Sequence, residues 1–369
     1  LLTDNLFLHL YFNNINQEKQ NKLKINQTKS AYIGASMTAA SEVTGVLSPG
    51  TELLGGVYQV NKVLGQGGFG ITYQGVDLRL NRSVALKEFF PEGCWRQGTT
   101  VVSAGKWTSA TYSDAKQKFL QEGQTLGQFN HSGIVRVFYY FEENNTAYMV
   151  MEYLHGRTLA DLLTQRGGKL SQSEALMYIG KICQALEILH HNQFLHRDIK
   201  PDNIMLTNDE RVVLIDFGAA RDFTTRNTQR FTAMFTPGYA PLEQYGQALQ
   251  LGTFTDIYAL GATLYHLLTG KVPVSAVERA AGVELPSIRQ LNPQTSNQVA
   301  DAVKKAMEMD VNKRCQSIRE FLDLLGNRDL SKEKSEDLGF YQSHEDPWSA
   351  FEGNKKIKSN LFENGGKWF

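Results

Sequence analysis

The sequence predicts an α+β protein in two lobes, a small antiparallel β-sheet with one main helix followed by a larger helical lobe. Three observations carry this. Between Tyr58 and Tyr153 the chain runs in short β-type stretches punctuated by Gly and Asn; one helical stretch interrupts them; after Gly156 apolar residues recur at helical spacing. With 369 residues, 41% of them hydrophobic, the chain can bury one large core or two smaller ones, so wholesale disorder is excluded.

The β-type runs are residues 58–64, 71–76, 83–89, 134–140 and 147–153. The interrupting helix opens at Ser113 and Asp114, and Phe119, Leu126 and Phe129 share a face with Glu122. Residues 171–192 open with Ser171 and Glu174 in capping-box spacing, and Ile179, Ile182, Leu186 and Leu189 line one side. Residues 255–269 are apolar nearly all round, 296–309 and 317–325 are amphipathic helices, and 212–215 is a short β run. Residues 1–50, rich in Asn, Gln, Lys, Ser, Thr and Ala, read as a disordered extension. Residues 327–369 read as a disordered tail or as a docking segment built on Trp348, Phe351, Phe362, Trp368 and Phe369.

Lys plus Arg and Asp plus Glu number 38 each, which removes any long-range pull toward nucleic acid or anionic lipid. Cys94, Cys183 and Cys315 stand far apart with no CxxC pair and are too few for a disulfide framework or a cysteine zinc site, so a reducing, cytoplasmic setting is expected. The apolar stretch 6–12 lacks a basic flank and makes a poor signal peptide. The run 257–268 is too short for a membrane span, so no membrane segment is expected.

Between the first two β runs lies Gly65-Gln66-Gly67-Gly68-Phe69-Gly70. Such a turn offers backbone N–H groups to phosphate oxygens, but alone it also fits a dinucleotide site or an ordinary turn. Ile71-Thr72-Tyr73 continues as strand, whereas a dinucleotide fold requires a helix there. Lys87 ends an apolar Val84-Ala85-Leu86-Lys87 run and needs an anion if it is buried. Glu122 supplies one, although a lysine that snorkels to water and a solvated glutamate are the alternative.

His196-Arg197-Asp198-Ile199-Lys200-Pro201-Asp202-Asn203 follows the long helix, and Asp216-Phe217-Gly218 follows the short β run. With these in place the chain resembles the eukaryotic-like (Hanks-type) bacterial serine/threonine protein kinases from about residue 58 to 325, with every catalytic motif in order. The resemblance implies the two-lobed protein kinase fold, with an N-lobe at 58–151, a hinge at 152–156 and a C-lobe at 157–325. It implies ATP and Mg²⁺, with Mn²⁺ an acceptable substitute, and protein substrates carrying Ser or Thr. Asp198 would accept the hydroxyl proton, Lys200 would neutralise the transferring phosphate, Lys87 and Glu122 would position ATP, and Asn203 with Asp216 would hold the metal.

By the same resemblance the glycine turn from Leu64 to Ile71 would cover the phosphates. The adenine would hang from the backbone of Glu152 and Leu154 with Met151 behind it, between walls of Leu64, Thr72, Ala85 and Met205. Thr72 stands where kinases usually have Val. Glu243 would pair with Arg314, within a Pro241-Leu242-Glu243 that departs from the usual Ala-Pro-Glu. Asp256 would either fasten the catalytic loop or cap its own helix. His196 is expected to be structural rather than a metal ligand. Lys200 and Thr236 fit the serine/threonine pattern.

The insert at 90–112, with Cys94, Trp95 and Trp107, is longer than kinases usually carry and is expected either to decorate the surface or to brace or displace the Glu122 helix and so control the Lys87–Glu122 pairing. Gly123 and Gly127 would weaken that helix by roughly 1 kcal/mol each against Ala. A scaffold that has lost catalysis should lack Lys87, Asp198 or Asp216, and a small-molecule phosphotransferase should lack the 236–243 stretch; all are present. Thr224, Thr225, Thr228 and Thr232 lie among Arg221, Arg226 and Arg230 in a stretch that resembles an activation segment, where Arg197 could pair with a phosphothreonine and where two copies could modify one another. Phosphopeptide mapping of the active protein should find Thr228 or Thr232 modified; an unmodified segment in active protein contradicts this.

Overall fold

In the computed structural model, which describes residues 45–217, 221–222, 236–246 and 250–326, the β-type runs become strands and the helical stretches become helices. Strands β1 (Glu52–Leu53), β2 (Tyr58–Gln66), β3 (Gly70–Asp77) and β4 (Arg82–Phe89) lead into a hairpin of β5 (Trp95–Gln97) and β6 (Thr100–Val102). Helix α1 (Ser109–Leu126) and strands β7 (Val137–Glu143) and β8 (Thr146–Glu152) follow. Six of these strands form one antiparallel sheet in the order β1-β2-β3-β4-β8-β7.

Register sets the two faces of that sheet. Thr72 lies opposite Lys87 and Gln74 opposite Ala85, so these four share a face, while Ile71, Tyr73, Leu86 and Glu88 share the other. A sheet with one solvated face would alternate buried and exposed residues, yet β4 is buried at every position from Val84 to Phe89. Helix α1 packs on β7 and β8 on the Lys87 side, and the β5–β6 hairpin approaches from the Glu88 side.

The second lobe begins with β9 (Gly156–Thr158), α2 (Leu159–Gln165) and α3 (Gln172–His191). Then come β10 (Phe194–Leu195), β11 (Ile204–Thr207), β12 (Val212–Leu214) and β13 (Arg221–Asp222). Helices α4 (Thr253–Thr269), α5 (Ala276–Ala280), α6 (Ile288–Leu291), α7 (Asn297–Ala306) and α8 (Ile318–Leu324) complete it. The apolar sequence of α4 puts it at the centre: every residue from Thr255 to Thr269 except His266 is buried, and α3, α7 and α8 pack around it. Among the described residues no helix is long and apolar enough to cross a membrane.

Several expectations are corrected. The ordered chain begins before residue 50: Leu47 is buried and β1 pairs with β2, because the apolar Leu47 and Leu53 close the edge of the sheet. Residues 1–44 and 327–369 lie outside the described residues. Helix α1 starts a turn earlier than Ser113, since the Thr108 and Thr111 hydroxyls form a reciprocal cap. Gly127 is the C-cap rather than an interior position, and Gly123 marks close approach: a Cβ there would meet Met149 Cε at 3.1 Å. Ser171 caps α3 through the Glu174 N–H, but the Glu174 carboxylate turns to the Tyr178 hydroxyl instead of closing the box. Gly156 belongs to β9, so the connection between lobes ends at His155. The three-residue hairpin strands and the short helices α2, α5 and α6 left no periodic trace long enough to read.

The expected Glu243–Arg314 pair is present and fully buried. Arg314 Nη1 lies 2.5 Å from Glu243 Oε1 and 2.9 Å from the Phe254 carbonyl, and its Nε donates to the Glu308 carbonyl at 2.9 Å. Removing one member strands the other's charge in the core. Arg314→Met should therefore lower the stability measured by urea denaturation by about 3–5 kcal/mol; a loss under about 1 kcal/mol, the range of exposed pairs, contradicts this.

Candidate active site

Four chain segments converge between the lobes. Strand β4 delivers Lys87, α1 delivers Glu122, the loop after β10 delivers Asp198, Lys200 and Asn203, and the turn after β12 delivers Asp216. Lys87 Nζ lies 2.8 Å from Asp216 Oδ1 and 3.6 Å from Glu122 Oε1. Burial works against the ammonium, but the Asp216 and Glu122 carboxylates outweigh it and hold the Lys87 pKa above the ordinary lysine value. The sequence alternative of a snorkelling lysine is thereby excluded.

The loop that carries Asp198 hangs from α4. Asp256 on that helix accepts the His196 N–H at 3.0 Å, the Arg197 N–H at 2.7 Å and His190 Nε2–H at 2.8 Å. Of the two roles weighed for Asp256 it takes the fastening one, because the helix cap falls to Gly252 with the Thr255 hydroxyl. His196 is structural: its Nδ1 accepts the Asp198 N–H and its Nε2 faces the Ile215 carbonyl. Burial pushes its pKa down, so the neutral ring fits these partners. Arg197 at φ 67° and Asp216 at φ 58° sit in the left-handed region, a conformation costly for residues with a Cβ that persists where surroundings over-determine it.

At Asp198 three groups meet. Oδ1 accepts the Thr236 hydroxyl at 2.9 Å, and Oδ2 accepts Lys200 Nζ at 2.7 Å and Asn203 Nδ2 at 2.8 Å. Lys200 Nζ also donates to Thr236 Oγ1 at 2.8 Å, and Asn203 Nδ2 donates to the Asp198 carbonyl at 2.8 Å. Asp216 is tied to this loop through the Ile215 N–H on the Asn203 carbonyl at 2.9 Å. Phe217 is buried and packs on His196, with ring centroids 4.5 Å apart.

Both Asn203 amide hydrogens are engaged with Asp198, so of its side chain the amide oxygen is what could serve a metal, with the half-exposed Asp216 carboxylate as the second candidate donor. Two hard oxygen donors suit Mg²⁺, which draws most of its shell from water and phosphates. Among the described residues no cluster of three or more His, Cys, Asp and Glu forms a metal cage. The donor set therefore fits a metal that is completed by the nucleotide.

Several of the residues expected around a purine also come together. Ala85 and Met151 are register partners, so they lie side by side on one face, the face of Lys87 and Thr72, while Met205 on β11 of the other lobe is half-buried against the core. The Glu152 N–H is engaged by the Arg136 carbonyl at 2.9 Å, so Glu152 can offer a purine only its carbonyl. Its side chain is held by Arg211 Nη2 at 2.6 Å, a contact no sequence spacing announced. The turn Gly65 to Gly70 closes through the Gly67 N–H on the Gly70 carbonyl at 2.9 Å, and Leu64 stands exposed at its base. Ile71 departs from expectation: strand alternation points it to the face opposite Lys87, where it is fully buried, so it belongs to the core. The threonines at 224, 225, 228 and 232 lie outside the described residues.

Residues 58–325 match the protein kinase domain family. The chain is 31% identical over 288 residues to serine/threonine-protein kinase B of Synechocystis sp., which spans 74% of this chain and 46% of that one. It is 31% identical over 264 residues to serine/threonine-protein kinase PrkC of Bacillus subtilis, 70% of this chain and 38% of that one. Among solved structures, the apo form of PpkA-294 superposes with a TM-score of 0.67 at 30% identity, over 76% of this chain and 100% of that one. The chain thus spans less than half the length of these curated relatives.

The Asp256 pKa is depressed: burial pushes it up, but the His190 hydrogen bond and charge, with the Arg197 N–H, outweigh burial. Its contribution to stability is complete above the unfolded carboxylate value of about 3.9 and is lost as pH falls through the lower folded value. Asp256→Asn should melt below wild type near neutral pH, and the gap should narrow as pH falls below about 4; thermal melts followed by circular dichroism that stay parallel across this range contradict it.

Proposed function

Because this chain belongs to the protein kinase family, we propose that it transfers the γ-phosphoryl group of ATP to Ser or Thr hydroxyls of proteins. One observation carries the reading: Asp198 Oδ1 already receives a hydroxyl, that of Thr236, at 2.9 Å, with the Lys200 ammonium on Asp198 Oδ2 and on the same Thr236 oxygen. A substrate hydroxyl placed against the same carboxylate would be oriented for attack, and its proton would pass to Asp198.

In this reaction the substrate oxygen bonds to the γ-phosphorus while the bond to the β–γ bridging oxygen breaks, and ADP leaves with that electron pair. Phosphoryl transfer asks the protein mainly for position and charge. Lys200 lies beside Asp198, where it would offset negative charge on the moving group. Lys87, anchored by Glu122 and Asp216, would reach the non-transferring phosphates. Asn203 would fix Asp198 through its amide hydrogens and hold Mg²⁺ with Asp216 through its oxygen; the metal's contribution is to neutralise phosphate charge. The backbone of Gly65 to Gly70 would cover the phosphates, and Glu152, Leu154, Met151, Ala85, Thr72, Leu64 and Met205 would frame the purine.

The three cysteines are unpaired thiols, which suits the cytoplasm, where ATP and reducing conditions coincide. Phosphorylation between two copies at the 224–232 threonines fits a signalling role. The test is a radiolabelled ATP assay with the purified chain, Mg²⁺ and a generic basic protein. Asp198→Asn should lower transfer by about 10²–10⁴-fold while nucleotide binding persists. Lys87→Met should lower kcat/KM through lost phosphate positioning. Undiminished transfer by Asp198→Asn contradicts the proposed base.

A further inference from the structure

The outer face of the N-terminal sheet holds a buried charge pair that the proposed reaction does not use. Glu88 follows Lys87 directly, projects to the opposite side of β4 and is fully buried. Its Oε2 accepts Arg96 Nη2 at 2.7 Å and the Tyr73 hydroxyl at 2.9 Å, and its Oε1 accepts the Tyr148 hydroxyl at 3.0 Å. Arg96 stands on β5 inside the insert. Its Nε also donates to the Gly45 carbonyl at 3.0 Å and its Nη1 to the Thr99 carbonyl at 2.7 Å, so one guanidinium ties three segments together.

The insert that Arg96 anchors touches each part surrounding Lys87. At its start, the Phe90 and Glu92 N–H groups donate to the Phe69 and Gly68 carbonyls of the glycine turn at 3.1 and 2.9 Å. In the middle, the Val101 N–H donates to the Asn144 carbonyl and Asn145 Nδ2 to the Val101 carbonyl, both at 2.8 Å, fixing the hairpin to the β7–β8 turn. At its end the Trp107 ring meets Tyr112 edge-on in the first turn of α1, and Tyr112 packs on Phe89 of β4. The charge pair itself is a poor source of stability, since burying it offsets most of its attraction; what the charged fork adds is direction.

We propose that Arg96 is a positioning residue for phosphoryl transfer: clamped to Glu88, it makes the insert hold the Lys87 strand, the glycine turn and the helix carrying Glu122 as one body. The inference rests on the kinase reading, and the two fail separately: a wild-type chain that transfers no phosphate defeats the reading, whereas the variants speak to Arg96 alone. Arg96→Met should lower both Tm and kcat. The double variant Glu88→Gln with Arg96→Met, which leaves no buried charge unpaired and keeps an acceptor for the Tyr73 and Tyr148 hydroxyls, should regain most of the wild-type Tm while kcat stays about tenfold low and ATP affinity changes by less than about threefold. A double variant whose kcat returns together with its Tm overturns the proposal. Should it not regain that Tm, Asn145→Gly decides, because Asn145 has a φ of 57° that glycine adopts freely and the change removes only the side-chain bond to Val101. There kcat should fall to about a third at unchanged Tm; unchanged kcat overturns the proposal.

Discussion

A lysine ammonium that is largely withdrawn from water must be met by carboxylates, and in this protein the demand organises the space between the lobes. Lys87 draws Glu122 from a helix and Asp216 from the turn after β12, two groups from opposite sides of the cleft. The two contacts are unequal, 2.8 Å to Asp216 against 3.6 Å to Glu122. The tighter one goes to the half-exposed carboxylate that the proposed reaction also gives to the metal. A nucleotide would then redistribute a charge balance already in place, and the position of α1 decides how much of the ammonium remains directed at phosphate.

The other lobe solves a different problem, which is to hold an irregular loop still. A catalytic loop gains precision from a rigid support, and α4 provides one because nearly its whole circumference is buried. Asp256 carries that rigidity outward by accepting two consecutive backbone N–H groups, which stabilises the left-handed turn at Arg197. Asn203 then transmits it to Asp198 with both amide hydrogens. Arg314 and Glu243 bind the segment that follows Thr236 to the core through a buried pair.

Much of this was legible in the sequence, for identifiable reasons. Long periodic stretches such as α3 and α4 announce themselves through repeated burial on one face or all round, and the ordered motifs from Gly65 to Asp216 identify the chemistry. Lys87 and Glu122 could be paired because each posed an electrostatic problem that the other solved. Glu88 posed the same problem one residue later in the same apolar run, so a second buried charge was a signal on the page; its partner Arg96 was hidden because the β5 and β6 strands are only three residues each. Ile71 was placed at the nucleotide by its motif neighbours, whereas strand alternation sends it to the other face. The Arg211 clamp on Glu152 joins residues 59 apart, and no local pattern encodes such a contact.

The claim on which the account turns is that Lys87 and Glu122 act as one unit. A double-mutant cycle on kcat/KM, comparing Lys87→Met, Glu122→Gln and the two together in the radiolabelled transfer assay, addresses it most directly. The account predicts strong non-additivity, with the double variant no slower than Lys87→Met alone. Losses that simply multiply would show that the two side chains act independently and would contradict it.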